Sequence, residues 1–424
     1  MILLIKTEIL LENIIYSKFK MKILQVNGYE SPGSRFHGLA ITPLLKEYSI
    51  DSKHLIWKRD TNNPEVLSFS KKDHIINNFL YVAENILSLQ SILYRNALQM
   101  IKMPEFQEAD LIHLHIIHSR FFSINHLPEI TRLKPTVWTL HDPWAMTGRC
   151  VYPMGCTGWE KNCGVCPDLK TLFPMRVDNS RSLFDNKRKI YEKSNFNLIV
   201  ASKWMKNMVD TSPLFDKEVK VHHLPFGLDL KFFSPDHTKK ARERFNISDD
   251  KIVICFRSED TPFKGYRYIM DALEKLETTK SICLLTVGRH NLLERFRGRF
   301  EIIEHGWTND DVLLRDVVAA SDIFLMPSVA EAFGVMAIEA MACGKPIIVF
   351  DETSLPEVTF APDIGISVPM RDSNALSNAI KHLINNQGER LERGSKGRKA
   401  AELHYNQDMH VKNLVDIYKE VLNK

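Results

Sequence analysis

The sequence lacks any apolar run long enough to cross a membrane. Its most apolar end, residues 1–15, is interrupted by one lysine and two glutamates, and no small-residue cleavage site follows. This composition excludes both a spanning helix and a signal peptide, so we expect a cytoplasmic protein. Residues 1–20 are interpreted as an N-terminal extension, either an added helix or the result of an upstream start, because Met21 directly precedes a strand-like run.

The chain also lacks a strong excess of one charge. It contains 56 Lys and Arg against 52 Asp and Glu, for a net charge of +4. A basic stripe with interleaved aromatic residues, the mark of a nucleic-acid surface, is missing, so no nucleic-acid partner is expected. The small basic excess is compatible with peripheral contact at the inner face of the cell membrane, and that alternative stays open.

Cysteine is scarce, and four of the seven cysteines fall in one short segment that includes a Cys-x-x-Cys pair: Cys150, Cys156, Cys163 and Cys166. In a reducing cytosol such a cluster favours a structural zinc site over disulfides. The alternative is a loop that uses cysteine as a small apolar residue. Both interpretations stay open, and metal analysis would decide between them. The other three cysteines lie in apolar segments typical of a core.

Short apolar runs alternate with helical segments, a pattern typical of parallel sheets with crossover helices. The candidate strands are 22–27, 111–117, 136–141, 197–201, 252–257, 282–287, 323–326 and 346–350. At 424 residues the chain exceeds what one core usually supports. We predict an α/β fold with two doubly wound sheets. The predicted parts are the extension 1–20, a first domain 21–225 with a Cys-rich loop 149–167, a second domain 226–405, and a final helix 406–424.

The segment 327–346 is the most informative in the chain. The apolar run before it stops at Pro327, as a buried parallel strand does, and residues 335–343 have helical composition that ends at Gly344. The first backbone amides of a helix have no partner within the helix and attract anions. We therefore expect a diphosphate to bind at the start of this helix, near the amides of Gly334, Val335 and Met336.

Two carboxylates accompany this helix start. Glu331 lies in the turn and Glu339 inside the helix, so one could bind a sugar hydroxyl and the other ribose hydroxyls. The segment closely resembles the signature of retaining GT-B glycosyltransferases of family 4, in which two glutamates accompany Pro-Ser, Phe-Gly and Glu-Ala-Met-Ala elements at these spacings. The resemblance covers the chain from Met21 to the C-terminus.

This resemblance implies a fold and an activity. The fold is GT-B, with two Rossmann-like domains facing a cleft and a C-terminal helix that crosses back to the first domain. The activity is retaining transfer of a sugar from a nucleotide-diphosphate sugar to a glycan or lipid-linked glycan, in bacterial surface polysaccharide biosynthesis. It also implies that Glu339 holds the ribose and that Glu331 contacts the sugar.

Sugar transfer needs positive charge where the diphosphate leaves. No convincing Asp-x-Asp pair stands on a strand-end loop to hold a catalytic metal, so we expect metal-independent catalysis with no cofactor. Arg257 and Lys264 follow a candidate strand at its carboxyl end, where open α/β sheets bind ligands. The resemblance implies that both side chains bind the donor diphosphate.

Three further residues are assigned through the resemblance. His141, at a strand end in the first domain, would position the donor sugar, and Gly33, after the first strand, would contact the donor. Trp307, in a Gly-Trp-Thr segment that ends a further strand, would help to hold the base. A three-histidine metal site at His113, His115 and His118 is not expected, because strand alternation places the third on the opposite face.

Two questions stay open. The apolar stretch 71–105 is interpreted by resemblance as lying near the acceptor or the membrane, whereas its composition alone favours core packing. The alternatives to the transferase are a GT-B epimerase or phosphorylase, or a catalytically inactive GT-B scaffold.

Overall fold

Two parallel β-sheets organise the chain in this computed structural model, which describes residues 21–31 and 38–423. The described residues divide into two compact units. The first unit contains the residues up to Val200, together with Lys206–Leu224 and the residues from Val411 onward. The second contains Ala201–Met205 and Pro225–His410. Each unit has its own sheet.

The first unit has a seven-stranded sheet in which every neighbouring pair is parallel. Its strands are β1 (Met21–Tyr29), β2 (Ile50–Lys58), β3 (Val66–Ser68), β4 (Leu111–Leu114), β5 (Thr136–Leu140), β6 (Asn197–Val200) and β7 (Val221–His223). The spatial order is β3-β2-β1-β4-β5-β6-β7. Strands β4, β5 and β6 are buried throughout, as expected for parallel strands covered on both faces.

The second unit has a six-stranded sheet, also parallel at every pair. Its strands are β8 (Ile252–Ser258), β9 (Ile282–Gly288), β10 (Glu301–Gly306), β11 (Ile323–Met326), β12 (Ile347–Phe350) and β13 (Ile366–Val368). The spatial order is β10-β9-β8-β11-β12-β13. Both sheets therefore reverse their strand order once, between β1 and β4 in the first unit and between β8 and β11 in the second.

Helices connect these strands. In the first unit they are α1 (Thr42–Glu47), α2 (Lys71–Leu87), α3 (Asn96–Ile101), α4 (Pro104–Glu108), α5 (Leu127–Leu133) and α6 (Ser180–Tyr191). In the second they are α8 (Thr238–Arg244), α9 (Tyr266–Lys275), α10 (Asp311–Ala319), α11 (Val335–Ala342), α12 (Leu355–Val358), α13 (Ser373–Asn385) and α14 (Gln387–His404). The unit boundary passes through α7 (Lys203–Thr211) and α15 (Gln407–Leu422). Within the described ranges, no helix is both long and apolar enough to cross a bilayer.

The final helix contributes its apolar face to the core of the first unit. Buried side chains of α15 cluster with residues from β1, β4 and β5, namely Val411, Leu414, Val415, Tyr418 and Val421 with Ile23, Leu111 and Val137. The spacing of these α15 residues follows the period of an amphipathic helix. The last residues of the chain therefore belong to the first unit by packing.

The α/β class and the two parallel sheets are confirmed, and each predicted strand has a counterpart in the structure. Of the remaining strands, the sequence analysis indicated β10 only by the Gly-Trp-Thr segment at its end and did not identify β2, β3, β7 and β13. Three of these strands have only three residues each, too few to show a hydrophobic period. The fourth, β2, contains Asp51, Lys53 and His54, and these polar residues interrupt its apolar pattern.

Candidate functional site

The point where the strand order reverses in the second unit lies between β8 and β11, and ligands of open α/β sheets bind outside the carboxyl ends of such strands. Arg257 is the penultimate residue of β8. Its Nε lies 2.8 Å from Oε2 of Glu259, and its guanidinium carbon lies 4.3 Å from the centre of the Trp307 ring. The guanidinium is thus held between a carboxylate and an indole.

Electrostatics also connect Arg257 to both signature glutamates. Burial lowers the pKa of Arg257, and the nearby charges of Glu259, Glu331 and Glu339 oppose that shift. A guanidinium stays protonated in proteins at neutral pH. The edge of the second sheet therefore presents a partly buried positive charge close to several carboxylates.

Lys264 and Glu331 form the second ion pair of this edge. The Lys264 ammonium lies 2.8 Å from Oε2 of Glu331, with the two side chains 26% and 11% exposed. The backbone holds both in place, because the amide of Val329 donates to the Phe263 carbonyl and Ser354 Oγ donates to the Glu331 carbonyl. The loops after β8 and β11 are therefore joined by backbone and side-chain bonds.

Two glycines allow the backbone of these loops to pack closely against neighbouring residues. Gly265 has φ +69°, and a Cβ there would lie 1.8 Å from the Pro327 carbonyl oxygen. Gly334 has φ +94°, and a Cβ there would lie 2.5 Å from a methyl carbon of Leu355. Both residues precede helices, α9 and α11 respectively. Only glycine fits such positions without strain.

Helix α11 begins at Val335, directly after Gly334, as the sequence predicts. Val335 and Met336 form its partly exposed first turn, whereas Glu339 is 1% exposed. A buried carboxylate is costly unless it is paired or hydrogen-bonded. The structure thus brings together an open helix start, two glutamates, an arginine and a lysine, a set suited to binding an anionic group beside a polyol.

The first unit places His141 directly after β5 in a chain of hydrogen-bonded polar side chains. His141 Nε2 lies 3.0 Å from His115 Nδ1, and His115 Nε2 lies 2.9 Å from Gln25 Oε1. The amide of Gln25 in turn donates to Ser52 Oγ. These residues are on strands β1, β2 and on the extensions of β4 and β5, so the sheet fixes the orientation of the His141 ring.

Asp142 follows His141 and is ion-paired. Its Oδ2 lies 2.9 Å from His118 Nε2, with both side chains 12% exposed. Burial would raise the pKa of Asp142, but the charge and hydrogen bond of His118 and the amide of Trp144 hold it below its ordinary value. His118 is therefore engaged by a carboxylate, whereas His113 bonds to Tyr418 and Thr139.

The Cys-rich loop is organised by the buried Arg149, which the sequence analysis did not identify. Its guanidinium donates to the carbonyl oxygens of Asp168, Thr171, Leu172 and Phe173. The four clustered cysteines are free and line one small cavity: Cys150, Cys156, Cys163 and Cys166. Burial raises the pKa of Cys150 to about 11, so its thiol is neutral in this arrangement.

A structural zinc site built from cysteines binds the ion through deprotonated thiols in tetrahedral geometry. Among the described residues, no group of three or more His, Cys, Asp or Glu side chains is arranged to hold a metal ion. Structural zinc at the four cysteines therefore stays a prediction.

Two contacts of this edge were missed from the sequence. Glu259 was not singled out, although it stands two residues after Arg257 in the same loop, and Trp307 was assigned to the base without its contact to Arg257. Gly33, which the resemblance assigns to the donor, lies outside the described residues.

Comparison with known proteins identifies related families and folds. Residues 237–400 match the family model described as "Glycosyl transferases group 1". The putative colanic acid biosynthesis glycosyl transferase WcaC of Escherichia coli is 22% identical over 262 residues, which cover 58% of this chain and 61% of that protein. The matched region thus spans less than two thirds of this curated relative.

Solved structures extend the comparison to almost the whole chain. A glycosyltransferase from Rickettsia africae superimposes with a TM-score of 0.66 at 18% identity, covering 95% of this chain and 99% of that one. Anabaena HepE in complex with UDP-glucose superimposes with a TM-score of 0.62 at 15% identity, covering 94% of this chain and 100% of that one. At these identities the likeness shows the fold, and the predicted GT-B fold is confirmed.

Proposed function

We propose that the protein transfers a sugar from a nucleotide-diphosphate sugar to a glycan or lipid-linked glycan acceptor, because residues 237–400 match the family model described as "Glycosyl transferases group 1". The observation that carries this proposal is the joined edge at β8 and β11, where Lys264 lies 2.8 Å from Glu331 and the charges of both signature glutamates act on Arg257. The UDP-glucose complex of HepE, a protein of the same fold, supports a nucleotide-sugar donor.

We assign roles to these side chains by their chemistry. The amides of Val335 and Met336 at the start of α11 bind the diphosphate, and Arg257 and Lys264 stabilise the charge that develops as it leaves. On donor binding, Lys264 exchanges part of its contact with Glu331 for the phosphate. Glu331 is then available to a sugar hydroxyl, while Glu339 takes the ribose and Trp307 lies beside the base.

The stereochemical part of the proposal is retention without a metal. In the family that the sequence resembles, the acceptor hydroxyl attacks the sugar from the same face that the diphosphate leaves. A phosphate oxygen helps to remove the proton of that hydroxyl. No protein nucleophile is then needed. His141 orients the donor sugar in this scheme, and the pathway served is surface polysaccharide biosynthesis, a role supported by the similarity to WcaC, a putative colanic acid biosynthesis glycosyl transferase.

A donor screen tests the proposal. The protein is incubated with UDP-, GDP- and ADP-sugars in the presence of a chelator, and release of nucleoside diphosphate is measured with and without oligosaccharide acceptors. We expect release from one nucleotide class, and a product whose anomeric configuration matches that of the donor in NMR spectra. Sugar release that requires inorganic phosphate would favour a phosphorylase, and no turnover or binding with any donor would favour an inactive scaffold.

Structural zinc is proposed separately from catalysis. The four cysteines of the loop 149–167 would hold the ion only after the thiols rearrange and lose their protons. Metal analysis of the purified protein, with thiol titration, tests this. About one zinc per chain would support it, and four titratable thiols without metal would reject it.

A further inference from the structure

Helix α2 turns its apolar face toward solvent. Six apolar side chains along one side of the helix are between 50% and 73% exposed: Ile75, Ile76, Phe79, Val82, Ile86 and Leu87. Positions 75, 79, 82 and 86 follow the three- and four-residue spacing of a single helix face. Helices of globular proteins normally bury such a stripe, and contiguous exposed apolar surface marks an interaction site.

The opposite side of the same helix is polar and buried. Asn77 and Glu84 are the buried residues of α2. The Asn77 amide donates to Asn96 Oδ1 at 2.7 Å and to the Arg120 carbonyl at 3.0 Å. The Glu84 carboxylate accepts from three successive backbone amides, those of Ser91, Ile92 and Leu93, at 2.7–3.1 Å.

These bonds fix the rotation of the helix about its axis. A buried carboxylate that lost its three amide partners would be left unsatisfied, which is expensive. A reciprocal capping box between Ser70 and Asp73 also fixes the first turn. The outward direction of the apolar stripe is therefore specified by named polar contacts. Core packing, the reading that composition favours for this stretch, is wrong for Ile86 and Leu87.

The exposed charges around the stripe have one sign, whereas the acidic residues of α2, Asp73 and Glu84, are half-buried and buried. Between residues 71 and 95, all of which are described, the exposed residues are the six apolar ones, Asn78 and three basic residues, with no acidic residue among them. Lys71 and Lys72 stand at the N-terminal end of α2 and Arg95 follows its C-terminal end. The exposed Arg176 and Val177 extend the surface there, because both backbone amides donate to Ser88 Oγ.

We propose that this surface, the outer face of α2 with Arg176 and Val177, docks on an anionic lipid bilayer. An interfacial helix lies in the plane of the membrane with apolar side chains in the acyl boundary and basic residues at the head groups. The 17 residues of α2 give a stripe about 25 Å long. Its aliphatic composition with a single phenylalanine lacks the tryptophan and tyrosine that dominate protein–protein hot spots.

A second copy of the chain fits this surface less well. In a two-fold pairing the same patch meets itself. Because every exposed charge on the helix and its flanks is basic, any such pairing would bring like charges together. The docking itself is inferred independently of the proposed function. Only its biological use, to hold the enzyme where lipid-linked acceptors are found, rests on that function.

Vesicle flotation of the full chain tests the inference. We expect binding to vesicles of phosphatidylcholine mixed with phosphatidylglycerol, weaker binding to phosphatidylcholine alone, and loss of binding at high salt. Phe79→Glu, at the most exposed position of the stripe (73%), is expected to reduce the partition coefficient by about tenfold or more. The matched control is Leu391→Glu, which changes a leucine 67% exposed on α14 and should leave binding unaltered.

A second variant and a second readout separate the outcomes. Lys71→Glu with Lys72→Glu should weaken binding to anionic vesicles only. Absence of vesicle binding, or equal binding by wild type and Phe79→Glu, overturns the inference, and so does a dimer in sedimentation experiments that Phe79→Glu dissolves. Nucleotide-sugar binding in solution is measured on the same variants. If it persists without vesicle binding, only the membrane inference fails, whereas vesicle binding without nucleotide binding rejects the proposed function alone.

Discussion

The carboxyl ends of the two sheets are built from the same topology but carry different chemistry. In the second unit the loops after β8 and β11 present ion pairs, Arg257 with Glu259 and Lys264 with Glu331. In the first unit the ends of β4 and β5 present histidine rings held by hydrogen bonds, with His141 bonded to His115 and His118 to Asp142. One edge concentrates cations paired with carboxylates, and the other fixes the orientation of imidazole rings.

This difference separates binding from positioning. A diphosphate needs fixed cations, and cations that are already paired with carboxylates are held in place before the ligand arrives. A sugar or an acceptor hydroxyl needs a donor or acceptor at a defined position, which an oriented imidazole provides. We therefore expect substitutions at the edge of the second sheet to change donor binding and those at the edge of the first sheet to impair transfer alone.

The largest expected effect comes from removing a cation of the charged edge. Lys264→Ala should lower the transfer rate by about 10²- to 10³-fold, because the leaving diphosphate loses a fixed positive charge. The rate of nucleoside diphosphate release is measured at saturating acceptor. Lys396→Ala is the control, since Lys396 forms an exposed pair with Glu392 on α14. Equal rates for both variants would contradict the assigned role.

A smaller loss is expected at the edge of the first sheet. His141→Asn should reduce turnover by about tenfold while the affinity for the free nucleoside diphosphate stays unchanged, because the role proposed for His141 is on the sugar and not on the nucleotide. Calorimetric titration with the nucleoside diphosphate and steady-state rates, measured on the same preparation, separate the two quantities. A parallel loss of nucleotide affinity would show that the division between the edges is wrong.

The Arg257–Glu259 pair sharpens the comparison further. Glu259→Gln removes the carboxylate that competes with the diphosphate for the guanidinium, so we expect nucleoside diphosphate to bind about threefold more tightly. The dissociation constant is measured by titration at low salt. Weaker binding would indicate that Glu259 holds Arg257 in its active position, and would reverse the role assigned here.

A prediction outside the two edges concerns stability. Burial lowers the pKa of Lys345 from 10.5 to about 8. Between these values the unfolded chain holds a proton that the native protein lacks, so the free energy of unfolding should rise with pH, by at most about 1.4 kcal/mol per pH unit. Below the lower value both states are protonated and the contribution is flat. Urea unfolding of wild type and Lys345→Met across this window checks the sign, because the variant should lose the rise.

The sequence could predict the charged edge because its residues are local. Glu331 and Glu339 lie in one strand-turn-helix segment, and Arg257 and Lys264 follow one apolar strand, so pattern and spacing suffice. The Arg257–Trp307 contact joins residues fifty positions apart. Such a contact depends on the sheet order β10-β9-β8, which no local pattern records.

The orientation of the apolar stretch around α2, by contrast, could not be predicted from the sequence. Its composition is that of a core helix, and nothing in the periodicity states which side faces the protein. That direction depends on Asn77 and Glu84, whose partners Asn96 and Ser91 are brought near by the turn after the helix. Burial of two polar residues thus decided the orientation, against the usual preference of hydrophobic side chains.

The most direct test of the charged edge as a donor site is titration of wild type and Glu339→Ala with UDP-, GDP- and ADP-sugars in chelator, with the exposed Glu392→Ala as control. The account predicts that one nucleotide class binds wild type and Glu392→Ala equally and that Glu339→Ala binds it at least about tenfold more weakly. Absence of binding to every donor, or unaltered binding by Glu339→Ala, would contradict it.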